Sequence, residues 1–282
     1  MRAKTWPVVP IVRAMLIYAA LALGLSAAWP LWVAWRSTRG STIRHALAWA
    51  WLAWAAWLWY GYAGGPIPAY AALTLTACAG IAVFGARRPG VVAWHFVVLG
   101  LLVVLWLPWA EGLVSGRDLH VGHLHQLFLC AILGFGLVNY LPTRTGAFAI
   151  GLIPGCLLLA LRYLWYGDSF DQSSATLTEM IKQRFTARSI AIGLSIANAG
   201  WAPFLMLRQP RKGSATDQLW ARFRDRFGAV WALRLREQFN AAAQNAGWPV
   251  RLGWFGLVPK TDQPAPEWHT TLVALQKRFN EP

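Results

Sequence analysis

Seven apolar runs dominate the chain up to position 207, at 14–35, 46–62, 70–86, 91–109, 122–141, 147–165 and 189–207. Each is close to the length, about 20 residues, that carries a helix across a hydrocarbon core. The seventh is the weakest, because Asn198 and Pro203 interrupt it. Backbone groups surrounded by lipid must be satisfied within their own segment, which selects helices over open strands. Composition agrees: 57% of residues are hydrophobic and 13% charged, against about a quarter charged in soluble domains. The expected fold is an all-α polytopic transmembrane helix bundle of about seven spans over residues 1–207. A small α(+β) C-terminal segment, 208–282, follows it.

Charge gives the expected orientation. Lys and Arg number 26 against 11 Asp and Glu, for a net charge of +15. No acid lies between Met1 and Trp109, and only Glu111, Asp118, Asp168, Asp171 and Glu179 precede position 208. The loops after the first, third and fifth runs carry Arg36, Arg39 and Arg44, then Arg87 and Arg88, then Arg144. The loops after the second and fourth carry only Arg117. The positive-inside rule places the first set in the cytoplasm. Seven spans then put the N-terminus outside, the C-terminal segment in the cytoplasm, and all five early acids on the outer side. Arg2, Lys4 and Arg13 run against this at the first helix. A cleaved signal peptide ending near Ser26-Ala27-Ala28 would leave either residues 36–44 or the basic tail on the wrong side. The expected location is a plasma membrane, of the bacterial inner-membrane type.

The bilayer is the first expected partner. Basic residues flanking spans serve anionic lipid, and no nucleic-acid signature accompanies them. Trp29, Trp32 and Trp35 close one apolar run and Trp106 and Trp109 another, where indoles settle at the headgroup level. Cys78, Cys130 and Cys156 each sit in an apolar run, as small packing residues rather than a disulfide framework.

The tail opens with a polar join ending at Ser214. Leu219, Phe223, Phe227, Val230, Trp231, Leu235, Phe239 and Ala242 then recur at helical spacing, predicting one long helix over 217–246. Arg222, Arg224, Asp225, Arg236 and Glu237 fall off that stripe and read as a solvated face with local ion pairs. Gly247 closes the helix and Pro249 prevents its continuation. Val250, Leu252 and Trp254 alternate with Arg251 and Gly253, predicting a short strand. A last helix covers 267–279. Such a small segment is expected to pack on the membrane part or on another protein. In the loop at 166–188, Thr176 and Glu179 fit a capping box for a short amphipathic helix.

The strongest candidate for chemistry is Asp118, His120, His123 and His125, at the outer mouth of the fifth run. Imidazoles ligate transition metals and haem iron. If the stretch is helical, His120 and His123 are neighbours three residues apart, with an outer acid as a third ligand. The competing reading, which weighs more, is that these histidines hydrogen-bond water, headgroups or backbone. His95, inside the fourth run, reads as a neutral histidine bonded to a neighbouring helix. Trp49, Trp51, Trp54, Trp57 and Trp59 cannot share one helix face and read as packing residues rather than a cofactor wall. Gly151 and Gly155 form a GxxxG pattern for close helix approach.

No acid lies deep in any run, which disfavours proton-coupled transport. There is no P-loop, HExxH or GxSxG. The readings therefore rank in order. First comes a membrane scaffold or assembly protein, meeting other membrane proteins through helix faces and the 208–282 tail. Second is a haem- or metal-binding membrane enzyme using the histidine cluster. Third is a transporter or lipid-handling protein.

Overall fold

The computed structural model describes residues 22–63, 65–87, 91–146, 213–259 and 265–279, with isolated positions at 15, 18, 19, 149, 150, 152, 156, 201, 204 and 205. The chain is mostly helical. Its N-terminal part contains α1 (Ala28–Ser37), α2 (Arg44–Ala63), α3 (Pro66–Ala82), α4 (Val91–Ser115) and α5 (His123–Tyr140). The C-terminal segment contains α6 (Ala215–Asn245), β1 (Arg251–Gly253), β2 (Gly256–Val258) and α7 (Pro266–Gln276). Single 3-10 turns, Val83–Gly85 and Lys277–Phe279, follow α3 and α7.

Among the described residues three helices, not seven, are long and apolar enough to cross a membrane: Pro66–Gly85, Ala93–Ser115 and His123–Tyr140. The second run does form a 20-residue helix, α2. Its tryptophans and tyrosines are amphipathic, so its hydropathy falls below that of the other three. Of the first run, α1 is the described helix. The sixth and seventh runs, with Gly151 and Gly155, and the 166–188 loop lie largely or wholly outside the described residues. One described contact involves the seventh run: the Trp201 indole donates to Ser26 Oγ at 3.1 Å.

Helix α3 is central and packs on α2, α4 and α5. Small residues make this possible: Ala69, Ala72, Ala77 and Cys78 are fully buried and let neighbouring backbones approach. Pro66 in the first turn starts α3 earlier than the apolar pattern alone suggests. The tryptophans of α2 divide by face. Trp49 and Trp57 are buried while Trp59 is exposed, and the Trp57 indole donates to Thr76 Oγ1 of α3 at 2.9 Å.

Helix α4 runs through Pro108 and on to Ser115, so Glu111 lies on a helix rather than in the expected loop. Proline removes a backbone donor and crowds the preceding turn. Side chains of α3 support that turn: the Tyr70 hydroxyl donates to the Leu105 carbonyl, and Trp106 Nε1 donates to Thr74 Oγ1 at 3.0 Å. The helix stops where Gly116 turns left-handed (φ 65°). The Arg117 amide then reaches back to the Gly112 carbonyl at 3.1 Å, the bond of a Schellman motif.

The C-terminal segment follows its expected outline with two additions. The strand has a partner: β1 and β2 form an antiparallel hairpin with Leu252 opposite Leu257. And α6 is bent at Gly228, whose φ of 80° and ψ of −177° interrupt the helix. Gly247 (φ 68°) closes α6 as expected; the amides of Gly247 and Trp248 donate to the carbonyls of Gln244 and Ala243. Phe223, Phe227, Trp231 and Phe279 build an aromatic cluster with ring centroids 4.7–5.3 Å apart. Each such ring contributes about 1.5–3 kcal/mol on full burial. The buried residues form one continuous cluster from Ala27 to Phe279, so the N-terminal helices and the C-terminal segment share a core.

Candidate functional site

The structure redistributes the histidines. His120 lies in an irregular stretch, because α5 begins at His123 with extended Gly122 as its cap. The helical neighbour relation expected of His120 and His123 is therefore absent. Asp118, His120 and His123 are exposed. His123 Nδ1 lies 3.4 Å from Gln126 Oε1, and the Gln126 amide donates to the Val121 carbonyl at 2.6 Å. His125 Nε2 is buried with no hydrogen-bond partner. Among the described residues no three His, Cys, Asp or Glu side chains come together in a group that could hold a metal. The three cysteines are free thiols.

A different pair of histidines meets. His45, at the start of α2, and His95, near the start of α4, touch edge to face with centroids 4.5 Å apart. Their separation in sequence hides this contact, and only the return of α4 to the same end as α2 creates it.

The most developed polar arrangement lies where the C-terminal segment docks. The loops after the first, third and fifth runs all reach it. From the first, Ser41 Oγ, Thr42 Oγ1 and the Thr42 amide donate to the Phe279 carbonyl at 3.3, 2.9 and 3.1 Å. Thr42 Oγ1 also lies 2.6 Å from the Ala86 carbonyl, joining the first loop to the third. At the end of α3, the Val83 carbonyl accepts the Trp231 indole N–H at 3.1 Å.

The fifth-run end carries the densest set. The bend at Gly228 strips the following amides of their helical acceptors and creates a second helix start within α6. Asn139 of α5 supplies the missing cap, its Oδ1 accepting the Val230 amide at 3.1 Å. Its neighbour Tyr140 lies 3.4 Å from the Arg226 carbonyl on the other side of the bend, its hydroxyl the donor. The two consecutive residues thus serve both broken ends. A side chain at position 228 has no room, since a Cβ there falls 2.2 Å from Asn139 Nδ2.

Beside this bend, Arg224 and Asp225 are buried, with side chains 7% and 0% exposed. This corrects the expected solvated face. The hairpin and the loop after α5 cover it. Arg224 Nε and Nη2 donate to Asp225 Oδ1 at 3.0 and 2.9 Å. The Arg144 amide donates to the same oxygen at 3.3 Å. Arg224 Nη1 and the Trp220 indole both donate to the Trp254 carbonyl, at 2.7 and 3.1 Å. The Trp254 indole in turn donates to the Pro142 carbonyl at 2.9 Å. Helix, hairpin and membrane loop are joined through one ion pair and one carbonyl.

Two further side chains hold the hairpin to α6. Asp217 accepts the Ser214 amide at the helix start and, through Oδ1, the Leu257 amide at 2.8 Å. Asn240 both donates to and accepts from the backbone of Leu252, standing in for a neighbouring strand. The chemical capacity of this region is attachment: most of its buried donors and acceptors are paired across elements to fix one geometry, while Asn139 Nδ2 is buried without a partner. No family model matches the chain, and no curated protein or solved structure matches it.

Proposed function

We propose that the chain is a multi-pass integral membrane protein acting as a scaffold or assembly factor, with about seven spans and a C-terminal segment fixed to the cytoplasmic end of the bundle. The supporting observation is the docking interface itself. Three loops rich in arginine bind one folded segment through buried, paired polar groups, which holds its outer face in a set position relative to the membrane. Helix α6 exposes Arg222 before the bend, and Leu233 and Glu237, one turn apart, after it. A fixed and partly apolar cytoplasmic face suits the recruitment of another membrane-associated protein. Burying polar groups in such networks fixes one arrangement more than it adds stability.

The test is crosslinking of the full chain in its native membrane, comparing the original sequence with the pair Arg222→Glu and Leu233→Glu. Both side chains are exposed, so thermal stability in detergent is expected to change by less than about 0.5 kcal/mol. Specific crosslinked partners are expected to fall at least tenfold. Unchanged capture by a stably folded variant refutes this face as the recruiting surface.

A further inference from the structure

We infer that the β-hairpin tip at Phe255 is a lipid anchor, inserting its ring into the headgroup–acyl boundary beside the end of α5. The inference rests on the reading of α3, α4 and α5 as membrane helices.

Phe255 is 84% exposed in a segment whose other phenylalanines, Phe223, Phe227, Phe239 and Phe279, are buried. The hairpin needs no such ring for its own folding. Leu252 and Leu257 fill its inner face, and Asp217 and Asn240 secure its backbone. Its position is set by the neighbouring residue, because the Trp254 indole is bonded to the Pro142 carbonyl. Pro142 lies just past the end of the apolar helix His123–Tyr140. Along that helix Leu124, Leu127, Phe128, Phe135, Val138 and then Leu141 form an exposed apolar stripe, the face a span presents to lipid. The stripe runs out at the residue to which the hairpin is tied, so the tip continues it.

The surrounding charge fits an interfacial depth. Arg144 and Arg251 are exposed on the loop and on β1, where long cationic side chains reach phosphate while an aromatic ring sits deeper. Val258, opposite Arg251 in the hairpin, is also exposed and apolar. A water-facing hairpin has little use for an exposed Phe at its tip and an exposed Val at its open end, whereas a bilayer accepts both.

The test places the photo-reactive phenylalanine analogue benzoylphenylalanine at position 255 of the full chain, reconstituted in nanodiscs of phosphatidylcholine and phosphatidylglycerol at three to one. Two reference positions carry the same probe: Val104, exposed midway along α4, and Gln244, exposed near the end of α6. Lipid adducts are quantified by mass spectrometry after irradiation. The expected yield at 255 is within about twofold of Val104 and at least fivefold above Gln244. A yield at 255 equal to Gln244 with strong labelling at Val104 overturns the anchor but leaves the membrane helices standing. Failure at Val104 as well overturns the membrane reading and the anchor with it. An adduct at 255 to a second copy of the chain in place of lipid makes the tip a protein contact and also overturns the inference.

Discussion

Replacing Asp225 by alanine is expected to loosen the C-terminal segment while helices α2 to α5 stay intact. The carboxylate is fully buried and accepts from Arg224 through two nitrogens and from the Arg144 amide. Its removal leaves a guanidinium buried with one remaining bond, to the Trp254 carbonyl. Breaking a buried ion pair from one side costs about 3–5 kcal/mol, most of it from the charge left behind. That corresponds to a roughly 100- to 5000-fold larger open population of the segment, at a factor of ten for about each 1.4 kcal/mol. Hydrogen exchange of the amides between Ala232 and Phe239 reads this opening directly, with amides of α3 as an internal reference. The second variant, Arg224→Met with Asp225→Ala, removes both charges and keeps an unbranched stem over Trp254. It should recover at least about 2 kcal/mol of the loss, since apolar replacement of a buried pair is often neutral. If Asp225→Ala accelerates exchange less than about fivefold, or if the double variant is worse than the single, the ion pair is not what holds hairpin, helix and loop together.

Two other predictions are independent of the pair. Gly228→Ala sets a Cβ against Asn139 and forces a side chain into a backbone region kept for glycine, which costs about 1–3 kcal/mol from the backbone alone. Its melting temperature in detergent should fall, and the addition of Asn139→Gly should not rescue it, because that change also removes the cap of the Val230 amide. The protein purified from metal-replete cells without chelator should show no Soret band and less than about 0.1 equivalent of transition metal, because among the described residues His120, His123 and His125 sit in no three-ligand group. A near-stoichiometric metal content that disappears in His123→Ala would make the outer histidines a site after all.

Much of the helical pattern could be read in advance because lipid and helix both act on composition averaged over a turn or more. The runs at 70–86, 91–109 and 122–141 correspond to α3, α4 and α5, and the stripe from Leu219 to Ala242 corresponds to α6. Gly247 could be read because a left-handed cap has a local signature. Gly228 could not. A glycine inside a strong apolar stripe looks like a tolerated defect, and its bend becomes favourable only because Asn139 arrives from 89 positions earlier, in another helix. Arg224 and Asp225 misled for a similar reason. Adjacent opposite charges on a helix ordinarily face water, and only the hairpin and the Arg144 loop bury them. The continuation of α4 past Pro108 depends on Tyr70 and Thr74 of α3, which no local rule reveals. The meeting of His45 and His95 has the same origin in tertiary packing.

The bond between Thr42 and Phe279 closes a loop of 237 residues, and this has a consequence for biogenesis. A ribosome adding about 5–20 residues per second needs roughly 12 to 47 s to supply Phe279 after Thr42 has emerged. For that interval Ser41 and Thr42, and for the shorter separations of 148 and 91 residues the Val83 carbonyl and Asn139, stand at the bundle end without the partners they will finally hold. The helical bundle therefore passes through a stage in which this end is unsealed, and a chaperone has its opportunity there. Once α6, the hairpin and α7 arrive, that opportunity ends.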